Sequence, residues 1–211
     1  MKFINKALVA AAFATAAVTA TAQEQFIPAL SYRVGPYAAG GSGFFGGVID
    51  YMNLINASGG INGVKMTYEE CETEYNATRG VECYERLKKS RGGATAVEPL
   101  STGIAYGLLD RVAQDKIPMT TLGYGRSDAA DGRVFPYVFP LITSYWSQAA
   151  GMMKYLGDKE GGLDKLKGKK IVHLYHDSAF GKEPFAVFET YAKQYGFELI
   201  KLAVPHPGNE Q

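Results

Sequence analysis

The sequence lacks a surplus of charge of either sign. Its 211 residues hold 22 Lys and Arg against 21 Asp and Glu, a formal net charge of +1. That balance excludes a polybasic surface for nucleic acid or anionic lipid. Metal-binding side chains are scarce as well, with three histidines and two cysteines. His173 and His176 lie three apart in a strand-like run, so they project from opposite faces and cannot readily chelate together. Cys71 and Cys83 are too far apart for a CxxC redox pair. Around Ser42 the G-x-S-x-G elbow of a serine hydrolase fails, because Phe44 stands where the second glycine belongs. Beyond residue 22 no apolar run is long enough to span a bilayer.

The first 22 residues have a different character. Lys2 and Lys6 form a basic start, Ala7 to Val18 is an uncharged alanine-rich stretch, and Ala20-Thr21-Ala22 offers a small-x-small cleavage site. These three parts predict a secretory signal peptide over residues 1–22. It carries no twin arginine, and no cysteine follows it, so neither the folded-export signal nor a lipid anchor is expected. In an exported chain Cys71 and Cys83 are expected to pair as a disulfide, with two buried free thiols as the alternative.

The rest alternates between two periodicities. Phe26 to Val34 reads as a strand, Gly35 to Gly41 as a loop, and Ser42 to Ser58 as a helix with Phe45, Val48, Met52 and Ile55 on one face. The following run, Gly59-Gly60-Ile61-Asn62-Gly63, has the composition of a tight reversal. Val64 to Glu70 alternates apolar and polar residues and reads as a half-wet strand. Asn76 caps a predicted helix running through Leu87, and Ala94 to Pro99 is a short strand. Ser101 or Thr102 caps a helix bearing Ile104, Leu108, Leu109 and Val112. Strands are predicted at Ile117 to Leu122 and Val134 to Phe139, then a helix over Tyr145 to Leu156. A strand over Lys170 to Tyr175, a helix over Phe180 to Tyr195 and a strand over Phe197 to Val204 complete the pattern. Such alternation predicts a doubly wound α/β fold with a parallel sheet. The expected division is a signal peptide at 1–22, a first α/β lobe at 23–141, and an incomplete second lobe at 142–211.

Several segments in one order carry a resemblance: GPYAAGGSGFFGGVIDYMNLINASGGINGVKM, VEPLSTGIAYGLLD, KIPMTTLGYG, VFPYVFPLI and IVHLYHDSAFGKE. Together they are similar to the type I periplasmic binding proteins that serve ABC importers of branched-chain amino acids and related acids. The GGING turn after a long helix is the most specific piece. The resemblance implies two α/β lobes joined by three crossovers, with a ligand held between them. It also implies that this sequence covers the first lobe and the opening part of the second.

In an open α/β sheet, ligands sit beyond the carboxyl ends of the strands. Ser101 and Thr102 fall at such an end and start a helix, where amide dipoles and hydroxyls suit a carboxylate; plain N-capping is the other reading. The resemblance assigns Ser101 and Thr102 to the ligand carboxylate. It places Gly123 and Tyr124 in a second binding loop, with Tyr124 either lining the cleft or packed beneath it. Arg126 either reaches a doubly acidic ligand or stands as a surface charge. By the same resemblance Phe180 presents an aromatic ring from the second lobe. Many relatives carry a tyrosine near position 40, where this chain has Gly40 with Tyr37 upstream, and Tyr37 is expected to contact the ligand. The acidic partner of a ligand ammonium would fall beyond Gln211.

One competing motif is the literal GxGxxG at Gly41, Gly43 and Gly46, which would make the chain an exported dinucleotide-binding oxidoreductase. The fingerprint should abut the strand end, yet Gly35 to Gly40 intervene. The expectation is therefore a non-enzymatic monomer without cofactor or metal. It would bind a small carboxylate in the periplasm and deliver it to an ABC transporter permease.

Overall fold

The structure is a computed structural model that describes residues 24–207; the predicted signal peptide lies outside the described residues. The first strand, β1 (Gln25–Ser31), leads into helix α1 (Ala38–Ala57) and returns as β2 (Met66–Glu72). Helix α2 (Ala77–Leu87), α3 (Thr102–Asp115), β3 (Met119–Thr121) and β4 (Val138–Pro140) follow. Helix α4 (Tyr145–Glu160) then leads to β5 (Lys170–His176), α5 (Ala179–Lys182), α6 (Phe185–Tyr195) and β6 (Glu198–Val204).

Every strand pair is parallel. β1 runs beside β2 from Gln25↔Met66 to Ser31↔Glu72, β3 beside β4, and β5 beside β6. The segment 94–97, expected as a full strand, is held only by single bridges, Phe26↔Ala94 and Val97↔Met119. Thr95 donates its amide to the Phe26 carbonyl (2.8 Å), and Thr120 donates to Val97 (3.0 Å). These bonds place the segment between β1 and β3, so the spatial order is β2, β1, 94–97, β3, β4. The chain leaves β1 toward one side and later returns on the other.

The first core gathers Phe26, Leu30, Val97 and Met119 from the sheet, Tyr84 and Leu87 from α2, and Ile104, Leu108 and Val112 from α3. All of these are nearly fully buried, and each stabilises the fold by roughly 1.5–3 kcal/mol. A second cluster of Ala149, Met153, Leu166, Phe188 and Phe197 packs α4 and α6 against β5 and β6. Val172, Leu174, Leu202 and Val204 of that two-stranded sheet stay exposed.

Several boundaries move from expectation. Helix α1 begins at Ala38, so the predicted loop shrinks to Gly35–Tyr37. Gly41, Gly43 and Gly46 consequently lie inside α1. They form no strand-to-helix phosphate loop, and the dinucleotide reading is corrected. Gly41 has another use: a Cβ there would stand 2.0 Å from the Tyr32 carbonyl oxygen, so its absence lets α1 cross the end of β1. The predicted helix over Phe180 to Tyr195 is split at Pro184 into α5 and α6, because proline has no amide to donate. The fifth strand covers Val138–Pro140 instead of starting at Val134, whose residues turn before it.

The glycine-rich reversal behaves as read. Gly59, Gly60 and Gly63 take φ of +101°, +79° and +80°, and Ile61 and Val64 pair across the turn. Asn56 then clamps the returning strand, donating to the Met66 carbonyl (2.6 Å) and accepting from its amide (2.9 Å).

Cys71 and Cys83 form the expected disulfide, tying β2 to α2; free thiols are excluded. Their sequence separation of 12 sets a stabilisation of about 3 kcal/mol from loop-closure entropy. Cys71→Ala with Cys83→Ala is expected to lower the unfolding free energy by about that amount, read from urea denaturation followed by circular dichroism. An unchanged midpoint would show that the link constrains nothing in the unfolded chain.

Candidate functional site

The sheet reverses its winding between β1 and segment 94–97, and a crevice opens beyond the carboxyl ends of strands at such a point. Beyond β1 stands Tyr32, buried, with its ring edge-on to Phe45 (5.4 Å) and Tyr75 (4.9 Å). Arg33 is held aside by a two-pronged bond to Glu70 (2.6 and 3.0 Å). Tyr37 precedes α1, and its ring lies 4.5 Å from that of Tyr75.

Beyond β2, Glu74 and Tyr75 both adopt left-handed backbone, with φ of +52° and +59°. The Glu74 amide donates to the Glu72 side chain (2.7 Å) and the Tyr75 amide to the Thr73 hydroxyl (3.2 Å). Asn76 then caps α2, accepting from the Arg79 amide (3.0 Å). These bonds fix a costly backbone and turn the Tyr75 ring toward the crevice.

Beyond segment 94–97, Leu100 is again left-handed (φ +43°), and Ser101 caps α3 by accepting from the Ile104 amide (3.3 Å). The Thr102 hydroxyl meets the Tyr145 hydroxyl (3.0 Å) and accepts from the Gly125 amide (3.3 Å). Ser101 is 3% exposed and Thr102 1%, with the Tyr145 phenol against Thr102 and Tyr75 beside Ser101. Beneath them Glu98 accepts from the Tyr124 phenol, whose oxygen accepts from the Leu100 amide (2.8 Å).

The far wall comes from the second group of elements. Gln148 donates to the Gly123 carbonyl (2.9 Å). Phe180 is 46% exposed and lies 5.5 Å from the Tyr145 ring, within a 330 Å³ cavity shared with His173 and His176. Glu183 accepts from the Ser127 amide (3.0 Å) and from the Tyr106 phenol.

The corner's electrostatics suit an anion without a buried cation. Burial pushes the phenols of Tyr32 and Tyr145 up to about 12. Burial also raises Tyr75, offset in part by the Ser101 side chain beside it. All three therefore stay protonated donors at neutral pH. A helix N-terminus adds amides without intrahelical acceptors and the positive end of its dipole.

The expected residues are not all in one place. Ser101, Thr102 and Gly123 converge with Tyr145 and Gln148. Phe180 reaches the same group through Tyr145. Tyr124 is a brace packed against the core, not a cleft wall. Arg126 binds Asp128 through both prongs (2.6 and 2.9 Å) and lies over the rings of Tyr106 and Phe135. It lines a separate cavity of about 710 Å³ with Trp146 and Lys182, so its charge is already matched. Tyr37 spends its hydroxyl on His176 and His206. Sequence reasoning missed Tyr75, although it stands at the carboxyl end of β2, where the strand-end rule applies equally.

The family profile described as periplasmic binding protein matches residues 24–211. The chain belongs to the periplasmic binding protein family. No curated protein sequence matches it. Among solved structures, a protein of the Pseudomonas fluorescens group described as an ABC transporter permease is 49% identical, with TM-score 0.75 over 90% of this chain and 46% of that one. A Thermus thermophilus branched-chain amino acid ABC transporter with bound valine is 20% identical, with TM-score 0.71 over 85% of this chain and 44% of that one. A Rhodopseudomonas palustris BisB5 solute binding protein in complex with 3,4-dihydroxybenzoic acid is 14% identical, with TM-score 0.69 over 87% of this chain and 48% of that one. The chain spans about half the length of these structures. At 20% and 14% identity the last two share the fold alone. Among the described residues no helix is long and apolar enough to cross a membrane.

Glu98 provides a test of the corner. Burial pushes its carboxyl from 4.5 to about 7, against the Tyr124 phenol and the Leu100 amide, which favour the charged form. The folded state thus holds this proton more tightly than the unfolded chain. Stability from that proton is complete below the ordinary carboxylate range and is lost as pH rises through about 7. Glu98→Gln keeps the acceptor and removes the charge. It is expected to unfold at higher urea than the parent at about pH 8, by up to roughly 3 kcal/mol, and to match the parent at about pH 4. Equal midpoints at both pH values would mean Glu98 is solvated.

Proposed function

We propose that this chain is the ligand-holding portion of a periplasmic solute receptor that delivers a small carboxylate to an ABC importer. One observation supports the reading: Ser101 caps a helix at the sheet's switch point, the Thr102 hydroxyl stands beside it on the first turn, and the phenols of Tyr75 and Tyr145 meet them from either side. Free amides and neutral hydrogen-bond donors can bind a carboxylate there without a compensating cation. Gly123 and Phe180 belong to the same wall. Tyr37 and Tyr75 supply aromatic faces across it. The ligand classes are a branched-chain amino acid, an aromatic amino acid or an aromatic acid; relatives of this fold hold valine and 3,4-dihydroxybenzoate.

Because Tyr145 covers Thr102 in the closed arrangement, entry of a ligand requires the lobes to part and then close on it. A ligand biases that hinge equilibrium by binding one state better. Nothing in this scheme calls for a chemical step, and the receptor acts as a monomer without a cofactor.

Thermal-shift measurements with amino acids and aromatic acids test the proposal. A ligand at a hundred times its Kd adds about 2.7 kcal/mol, which raises the melting temperature of a chain this size by about 5–10 °C. For any acid that does so, Ser101→Ala with Thr102→Ala is expected to weaken binding on the order of 10- to 100-fold by calorimetry. Unchanged affinity in a folded double variant would remove the carboxylate assignment.

A further inference from the structure

Tyr37 was expected to face a ligand, yet its hydroxyl is committed across the gap. It lies 2.8 Å from His176 Nε2 and 3.1 Å from His206 Nδ1. Tyr37 comes from the loop after β1, whereas His176 ends β5 and His206 follows β6. Two of the chain's three histidines thus converge on one phenol of the other lobe. The imidazole rings stand 4.1 Å apart, near perpendicular. We propose that Tyr37, His176 and His206 form an interlobe latch that holds the gap shut when the His176 imidazole is neutral and releases it when His176 takes up a proton.

The hydrogen-bond pattern carries the argument. His176 Nδ1 lies 2.8 Å from the Ser178 hydroxyl. With Nδ1 donating to Ser178, the neutral ring presents Nε2 as an acceptor for the Tyr37 hydroxyl. His206 Nδ1 then donates to the phenol oxygen, and all three groups are satisfied. Protonating His176 turns Nε2 into a donor. The phenol oxygen can accept from both rings. The phenol proton then has an acceptor only if His206 moves its own proton from Nδ1 to Nε2, so the latch loses a bond or must change tautomer beside a cation.

The surroundings do little to absorb that charge. Tyr37 packs on Tyr75, a neutral phenol, and Phe180 lies 6.3 Å from the His176 ring. Asp177 is the carboxylate acting on His176, and it acts on His206 too, but it is already bonded to Lys182 (2.6 Å). Burial holds His176 below its ordinary 6.5, and the neighbouring His206 lowers it further, with Asp177 opposing in part. A lowered histidine value means the closed form binds the proton less well than the open form. Closure is therefore favoured at and above the ordinary histidine range and lost as pH falls below it. Among the other interlobe bonds, Tyr145 to Thr102 parts as the gap opens, whereas Gln148 to Gly123 and Glu183 to Ser127 and Tyr106 contain no imidazole and can remain as a pivot.

The latch rests on the receptor reading only for its use, and it can be measured with no ligand present. The native cysteines are paired, so exposed Asn53 and Lys193, on α1 and α6, can be changed to cysteine and spin-labelled. Pulsed electron resonance would report one short distance at about pH 7.5 and a longer one at about pH 5, with the midpoint below the ordinary histidine value. His176→Gln with His206→Gln should abolish that pH dependence. Tyr37→Phe should give the longer distance already at about pH 7.5. Far-ultraviolet circular dichroism at both pH values confirms that each variant is folded. A parent distance that does not change with pH, or a double variant that changes as the parent does, overturns the latch. Failure of every ligand in a thermal-shift panel would count against the receptor reading and leave the distances untouched.

Discussion

Parallel strands cannot be joined by tight hairpins, and that constraint organises this molecule. Each return must cross a face of the sheet as a helix, so every loop that follows a strand gathers at one edge. Once the chain has wound β1 to β2 on one side and resumed at residues 94–97 on the other, the loops at that junction part and leave a crevice. Gly41 lets α1 cross close over Tyr32, and Pro99-Leu100 swings the chain off the sheet just before α3 begins. The site is thus a geometric by-product of the winding, and its chemistry depends on which side chains occupy those few loop positions.

Those positions hold hydroxyl groups on tyrosine, serine and threonine, with the arginines kept to the flanks and the Glu98 carboxyl buried beneath. Arg33 is paired with Glu70, and Arg126 with Asp128. Removing the arginines by internal pairing leaves a gap lined with neutral donors. Burial keeps those phenols protonated well above neutral pH. Under the proposed function, such a lining would meet an acid group with hydrogen bonds and the α3 dipole in place of a buried cation.

Much of the architecture was legible because apolar spacing and glycine placement act locally. The helix faces carrying Ile104, Leu108 and Val112, and the reversal at Gly59–Gly63, follow from short-range geometry. The caps at Asn76 and Ser101 were readable for the same reason. Segment 94–97 was harder, since its pairing depends on neighbours far away in sequence and reduces to two bridges. The site was legible only where a motif lay within one loop. Ser101 and Thr102 stood out as a helix start. That Tyr37 would be spent on His176 and His206 could not be read, because those partners are 139 and 169 residues away. Arg126 was ambiguous for a similar reason: its match, Asp128, is close in sequence, but the aromatic rings under it come from Tyr106 and Phe135.

Glu74, Tyr75 and Leu100 keep bulky side chains in a backbone conformation that glycine enters more cheaply. All three stand around the mouth of the gap. Selection for heat tolerance alone would find easy gains there, by relaxing these residues to glycine or asparagine. The resulting protein would outlast its parent on heating while losing the fixed shape of its entrance. A record of which loop residues resist such relaxation would map recognition without any ligand in hand.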